Sequence, residues 1–170
     1  MMLSNNLLSA AALLASASLG YARVYNMDNY AWSHEAGCAR VENKCDFPVT
    51  IHSVGKAIEG PFTLEPGDLY SETFRKDPVA GGIAIKITKH KNDLFIAGKP
   101  QTIFAYNLDG NDVWYDLSNV FGCPFEGCKL VEKSEKHTCP KIVWPEGVNP
   151  GGSNVKVCTA REDVELILCA

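Results

Sequence analysis

The residues best suited to chemistry cluster in one short stretch, residues 101–125. Three aspartates (Asp109, Asp112 and Asp116) lie there with Trp114 and Tyr115 between them. Glycosidases generally need two carboxyl groups about 5–10 Å apart across the bond that they cleave. An exposed aromatic ring beside them can stack on a sugar. The stretch therefore indicates either hydrolysis or binding of carbohydrate.

Each of these residues also has a purely structural interpretation. Asp109 and Asp112 flank a Gly-Asn turn, where aspartate side chains commonly bond their own backbone. Trp114 and Tyr115 are neighbours on a predicted strand, so alternation sends them to opposite faces and one of them belongs to the core. The alternative is that both rings pack under loops.

Other kinds of catalytic or metal site find less support. Structural zinc sites usually use two close pairs of ligands, but the only close cysteine pair is Cys123 and Cys128, and a disulfide is the better interpretation of that pair. No Gly-x-Ser-x-Gly motif occurs. The histidines lie on polar or turn segments without an evident Ser or Asp partner; they are His34, His52, His90 and His137. We therefore expect no metal, no cofactor and no nucleophilic triad.

The elements that must position these residues are strands. The hairpin has predicted strands at 102–108 and 113–117, separated by a turn at 109–112. Short strands with turns every 8 to 12 residues indicate an all-β sandwich or barrel. The remaining expected strands are 38–45, 49–54, 60–64, 69–74, 83–88, 155–158 and 164–169. Residues 122–144 have no sustained periodicity of apolar residues and are expected to be an irregular, disulfide-pinned region.

Composition limits the class of protein. The chain has 170 residues, the length of one domain, and a net charge of −4. A net negative charge gives no indication of a positively charged surface that would bind nucleic acid or an anionic membrane. No stretch is long enough to span a bilayer.

The N-terminus indicates secretion. Residues 1–22 contain an apolar run at 7–19 followed by small residues, the pattern of a signal peptide. Residues 23–37 lack periodicity and are expected to form a flexible arm before a single domain at 38–170. All seven cysteines follow the signal peptide, so disulfides in an oxidising compartment are expected, with one cysteine left over.

Several phrases in order resemble a known family. They are VENKCDFPV (41–49), LEPG (64–67) with YSE (70–72), GIAIKI (82–87), WYDLS (114–118), GCPF (122–125), CP (139–140), WP (144–145) and PGGS (150–153). Together they resemble the fungal yeast-phase-specific protein family, a short branch of the thaumatin-like proteins.

The resemblance implies a thaumatin-like β-sandwich with disulfide-pinned loops, secreted and associated with the fungal cell wall. Family members are mostly antigens whose activity is largely unassigned, so a non-enzymatic binding or antigenic role is expected. The partner would be a cell-wall polysaccharide or a host surface protein. The rival interpretations are a β-1,3-glucan-binding or glucanase-like protein and a small secreted effector that targets a host protein.

The resemblance also implies a disulfide between Cys45 and Cys169. The remaining expected pairs are Cys123–Cys128 and Cys139–Cys158. Cys38 is left unpaired beside the arm, where it is expected to be reactive or to link two chains in a dimer.

The acidic cleft of the thaumatin-like proteins is only partly retained. Lys86 stands where the cleft has an arginine, and Asp116 matches an aspartate. Ala105 replaces the cleft glutamate and Phe121 replaces a second aspartate. One carboxylate cannot serve as both acid and base or nucleophile, so we expect no glucan hydrolysis, and we expect Asp116 to pair with Lys86. The ligand-binding candidates are Lys86, Asp116, Trp114 and Tyr115.

Overall fold

The computed structural model describes residues 24–26 and 36–170. The predicted signal peptide (1–22) and most of the predicted arm (23–37) lie outside the described residues, so both stay predictions. Three residues of the arm, Val24–Asn26, form a strand that pairs in parallel with the strand at Leu69–Thr73. The described part of the chain contains no helix whose length and apolar character would allow it to cross a membrane.

Within the described residues, twelve strands form two six-stranded sheets, which confirms the all-β prediction. The first sheet has the order β1-β5-β2-β12-β9-β10, and the second has the order β11-β8-β7-β6-β3-β4. A 3-10 turn, η1, lies at Asp93–Phe95. The strands are β1 Val24–Asn26, β2 Cys38–Asn43, β3 Val49–Val54, β4 Ile58–Leu64, β5 Leu69–Thr73, β6 Ile83–Thr88, β7 Gln101–Asp109, β8 Asp112–Val120, β9 Leu130–Ser134, β10 Ile142–Trp144, β11 Lys156–Thr159 and β12 Val164–Leu168.

Alternating apolar residues build the core between the sheets. In β6, Ile83, Ile85 and Ile87 are buried, while Ala84 and Lys86 between them are partly exposed. Strands of this composition bury one face and leave the other to solvent or to loops. The outward face of the second sheet is therefore available for a site.

The prediction that residues 122–144 are irregular was wrong, because β9 and β10 lie within them. The inward residues of β9 are Leu130, Glu132 and Ser134, and all three are buried. Two of the three are polar, which conceals the apolar alternation that sequence analysis depends on. Pairing with β12 on one side and β10 on the other forms the strand despite its composition.

The end of the chain returns to its first long strand. β12 runs parallel to β2, with Leu168 opposite Asn43. This register brings the next cysteines together, and Cys45 is bonded to Cys169 with their Cα atoms 5.0 Å apart.

A second disulfide, Cys139–Cys158, links the β9–β10 connection to edge strand β11. These are two of the three pairs expected above. The third expected pair is not formed, since Cys123 and Cys128 are both free thiols in the structure, as is Cys38.

Candidate functional site

The outward face of the second sheet carries a row of small side chains that ends at one carboxylate. Strand registers place Val54 opposite Ala84, Ala84 opposite Ala105, and Ala105 opposite Asp116. Residues paired across strands point to the same face. The floor is therefore shallow and largely alanine, with Asp116 at one side.

A groove of about 440 Å³ lies over this row. The exposed ring of Trp114 and the exposed Val155 stand on the side of β11, and Asn107 adds a polar group from β7. The groove is lined by Val54, Gly55, Ala80, Gly82, Ile83, Ala84, Ala105, Tyr106, Asn107, Trp114, Tyr115, Asp116 and Val155.

Trp114 and Tyr115 have different roles, as strand alternation requires. Trp114 keeps 44% of its surface exposed, whereas Tyr115 is 1% exposed and belongs to the core. The Tyr115 hydroxyl donates a hydrogen bond to the backbone carbonyl of Pro140. Burial, together with the charge of Glu132, raises the pKa of Tyr115 to about 12. Trp114 is thus the ring that faces solvent, and Tyr115 anchors the strand beneath it.

Asp116 does not pair with Lys86, contrary to the expectation from sequence. Lys86 lies opposite Ile103, and Ile103 lies opposite Ser118, so Lys86 and Asp116 are two strands and one row apart. Lys86 takes part in none of the ion pairs found within the described part of the chain. Partial burial raises the pKa of the Asp116 carboxyl.

The other carboxylates of the hairpin do not reach the groove. Asp109 and Asp112 face each other at the exposed tip of the hairpin. Among the described residues that line the groove, Asp116 supplies the only carboxyl group. Phe121, at the other cleft position, is exposed beyond the far end of β8.

A second carboxyl group lies beneath the groove, on a strand that the sequence did not reveal. Glu132 on β9 is completely buried between the sheets, opposite Leu166 and Ile142. Burial, reinforced by the charge of Asp116, holds the pKa of Glu132 well above its ordinary value. The second sheet separates Glu132 from the outward Asp116, so the two groups cannot flank one sugar bond.

The rim of the groove is fixed by Asp77. Its carboxylate accepts backbone hydrogen bonds from Lys56 (2.6 Å), Val79 (2.8 Å) and Ala80 (2.6 Å). These bonds hold the pKa of Asp77 below its ordinary value. One side chain thus ties the β3–β4 turn to the β5–β6 connection, and both border the groove.

Within residues 24–26 and 36–170, no three His, Cys, Asp or Glu side chains come together to hold a metal ion. Of the four histidines, His34 lies outside the described residues, and His90 and His137 are exposed. His52 is completely buried on the outward face of β3, under Phe95. The geometry offers stacking and hydrogen bonding, and the described lining of the groove supplies one carboxyl group, whereas glycosidases generally use two.

Two sheets, a chain end bonded to the first long strand and a groove on one outer face define a thaumatin-like β-sandwich. The family model described as Blastomyces yeast-phase-specific protein matches residues 26–170. The chain belongs to this family.

A relative identified by sequence agrees with that assignment. The chain is 32% identical over 145 residues to an antigenic thaumatin-like protein of Arthroderma benhamiae, covering 79% of this chain and 71% of the relative. Its fold is similar to the crystal structure of the protein elicitor MoHrip2 from Magnaporthe oryzae. That match has a TM-score of 0.64 and 26% identity, and it covers 79% of this chain and all of the other. The thaumatin-like xylanase inhibitor TLXI matches with a TM-score of 0.49 and 15% identity over 78% of this chain and 99% of its own.

Proposed function

We propose that this is a secreted, non-enzymatic fungal protein that binds a neutral cell-wall polysaccharide in the groove on its second sheet. The observation that carries the proposal is that an exposed tryptophan, Trp114, and a single carboxylate, Asp116, line the same groove. A sugar ring fits this arrangement, because its apolar face can stack on Trp114 while its hydroxyl groups donate to Asp116 and bond with Asn107.

The shape of the site favours a polymer over a small molecule. Ligand pockets for small molecules usually enclose most of the ligand surface, whereas this groove lies along an open sheet face with a shallow alanine floor. With one charged side chain in the lining, the groove offers little to a strongly charged ligand. A neutral chain of sugars, such as β-1,3-glucan, satisfies both conditions.

Secretion is supported by two kinds of observation. The two disulfides are typical of an oxidising compartment, and residues 1–22 have the pattern of a signal peptide. The similarity to a protein named as an antigen is in keeping with a location at the fungal surface.

Polysaccharide pull-down tests the binding role. Purified protein should sediment with insoluble β-1,3-glucan, chitin or cellulose, and Trp114→Ala should raise the apparent Kd roughly tenfold, since losing an aromatic stacking contact of about 1.4 kcal/mol changes Kd by that factor. Phe95→Ala is the matched control, because it removes an exposed ring that does not line the groove. Failure to sediment with any of these polymers, or equal retention of Trp114→Ala, would overturn the proposal.

A host-contact role is the second candidate, favoured by the structural similarity to a protein elicitor. In that role the purified protein would provoke a response in intact host tissue, and heat-denatured protein would not. Trp114→Ala separates the two roles: a response that survives the substitution does not depend on the sugar groove.

A further inference from the structure

A second exposed surface lies away from the groove, around the β6–β7 connection at residues 89–100. Phe95 keeps 67% and Ile96 keeps 47% of its surface exposed. The connection contains two exposed lysines, Lys89 and Lys91, and the partly exposed Lys99, against one acidic residue, Asp93, which is itself buried. The net charge of −4 thus conceals a local basic and apolar surface, which we call the basic loop.

An anchor on each side holds the basic loop in place. The Phe95 ring contacts buried His52 edge to face, with ring centroids 5.7 Å apart. The Lys89 ammonium lies 4.7 Å from the centroid of the Phe47 ring. Phe95 is therefore held against His52 while most of its ring remains exposed to solvent.

Phe121 adds a third exposed apolar side chain at the same end of the sheet. It follows β8, whose last residue Val120 pairs with Gln101 directly after the basic loop. It is 67% exposed and has a φ of +59°. A left-handed backbone is costly for an aromatic residue and, where it occurs, often marks a functional position.

We propose that the basic loop and Phe121 form a contact surface for an anionic phospholipid bilayer. Exposed aromatic and aliphatic side chains flanked by lysines match the interface of such a bilayer, where rings insert among head groups and lysines meet their negative charge. Neither Lys91 nor Lys99 takes part in an ion pair or a cation–π contact found among the described residues, so their charge is available to a partner.

The geometry favours a lipid surface over a protein or a small ligand. Phe95 packs over β3 and Phe121 follows β8, three strands away, which is about 14 Å at the usual strand spacing. An extended surface spans that distance, whereas a small molecule does not. The surface consists of one loop and one side chain, whereas a stable protein interface buries about 800 Å² on each partner.

Vesicle sedimentation tests this proposal. Purified protein should sediment with vesicles of phosphatidylcholine and phosphatidylserine but not with phosphatidylcholine alone, and added salt should weaken the binding. Lys91→Glu should weaken binding by more than the roughly fivefold expected for loss of one lysine near the surface. Phe121→Asn should also weaken binding while the fold is kept, because asparagine tolerates the left-handed backbone.

Matched controls separate the possible outcomes. Trp114→Ser removes an exposed ring from the groove and should leave vesicle binding unchanged; equal loss with Trp114→Ser would overturn the assignment to this surface. Equal binding to phosphatidylcholine alone, or full binding by Phe121→Asn, would also overturn it. Binding to soluble polygalacturonate that matches the vesicle binding and withstands Phe121→Asn would show a general polyanion site instead of a lipid surface.

Discussion

At the scale of single residues, the carboxyl groups of Glu72 and Glu132, the two buried glutamates of the described chain, have opposite surroundings. Glu72 accepts hydrogen bonds from the hydroxyl groups of Tyr70 and Tyr106, each at 2.8 Å. Neither carboxyl oxygen of Glu132 has a hydrogen-bond partner among the described residues. A buried polar group without a partner costs stability, so Glu72 fits its site, whereas Glu132 weakens the fold when ionised.

The first prediction is that Glu132→Met stabilises the protein at neutral pH. The pKa of Glu132 lies above the value of 4.5 expected for an unfolded chain, so folding favours the protonated form. The Glu132 penalty is therefore absent below about pH 4.5 and grows as the pH rises through the folded pKa. Removing a buried carboxyl group that has no hydrogen-bond partner should gain about 1–3 kcal/mol, the usual cost of such a group.

Urea unfolding between pH 4 and pH 8 measures this effect. The gain from Glu132→Met should be largest at the upper end of the range and should shrink towards pH 4. Glu165→Gln is the control, since Glu165 lies on β12 with an exposed partner, Lys133, at 3.8 Å. A gain that does not change with pH would show that Glu132 has no perturbed pKa.

Part of the arrangement of the site residues could be predicted from the sequence, and part could not. Strand alternation separates Trp114 from Tyr115, but the structure was needed to show that Tyr115 is the one in the core. Trp114 and Asp116 share a face for the same reason and both line the groove, while their part in binding stays a prediction. The expected Lys86–Asp116 pair was wrong, since a pair across a sheet depends on register, and register is not visible in the residues of one strand.

At the scale of elements, the 144–153 connection packs closely against the 122–129 segment at one glycine, Gly147. Gly147 has a φ of +65° and lies against the 122–129 segment. A Cβ atom at this position would lie 2.6 Å from the backbone carbon of Phe125 and 2.7 Å from the backbone oxygen of Cys128. Backbone atoms cannot move aside as the end of a flexible side chain can.

The second prediction is that Gly147→Ala is strongly destabilising. Gly110, in the β7–β8 turn, is the matched control because its φ is +61° and a Cβ atom there would have no neighbouring atom within 4 Å. Gly110→Ala should cost about 1 kcal/mol from backbone strain alone. Gly147→Ala should add about 1–3 kcal/mol from overpacking.

Thermal or chemical unfolding of the two variants under the same conditions gives the comparison. Equal losses of stability would mean that the 144–153 connection moves away from the 122–129 segment without cost, which would contradict the packing described for Gly147.

Most strands were predictable because their apolar residues alternate, as in β6, β7 and β8. The strands that the sequence did not predict were β9 and β10, where polar inward residues and short length remove the pattern, and the three-residue β1, which lies in the stretch expected to be an arm. The Cys123–Cys128 pair was inferred from closeness in sequence, yet closeness in sequence does not bring two sulfur atoms into bonding geometry.

At the scale of the whole molecule, the two disulfides constrain the chain to different extents. Cys45–Cys169 joins residues 124 positions apart, whereas Cys139–Cys158 joins residues 19 positions apart. In the chain-entropy treatment, the longer loop contributes about 1.7 kcal/mol more to stability.

The third prediction follows from that difference. The double substitution Cys45→Ala with Cys169→Ala should lower the unfolding midpoint in denaturant more than Cys139→Ala with Cys158→Ala. Each double variant is compared with the parent under non-reducing conditions. The reverse order would show that the link between β11 and the β9–β10 connection matters more than the closure of the whole chain.

Binding of a neutral glucan in the groove without cleavage is the property on which the proposed function depends. Calorimetric titration with a β-1,3-linked glucose hexasaccharide, followed by product analysis of the same sample, tests both parts at once. We predict saturable binding that is lost in Trp114→Ala, with the hexasaccharide recovered intact. Shorter oligosaccharides in the sample, with their release abolished by Asp116→Asn, would contradict the account.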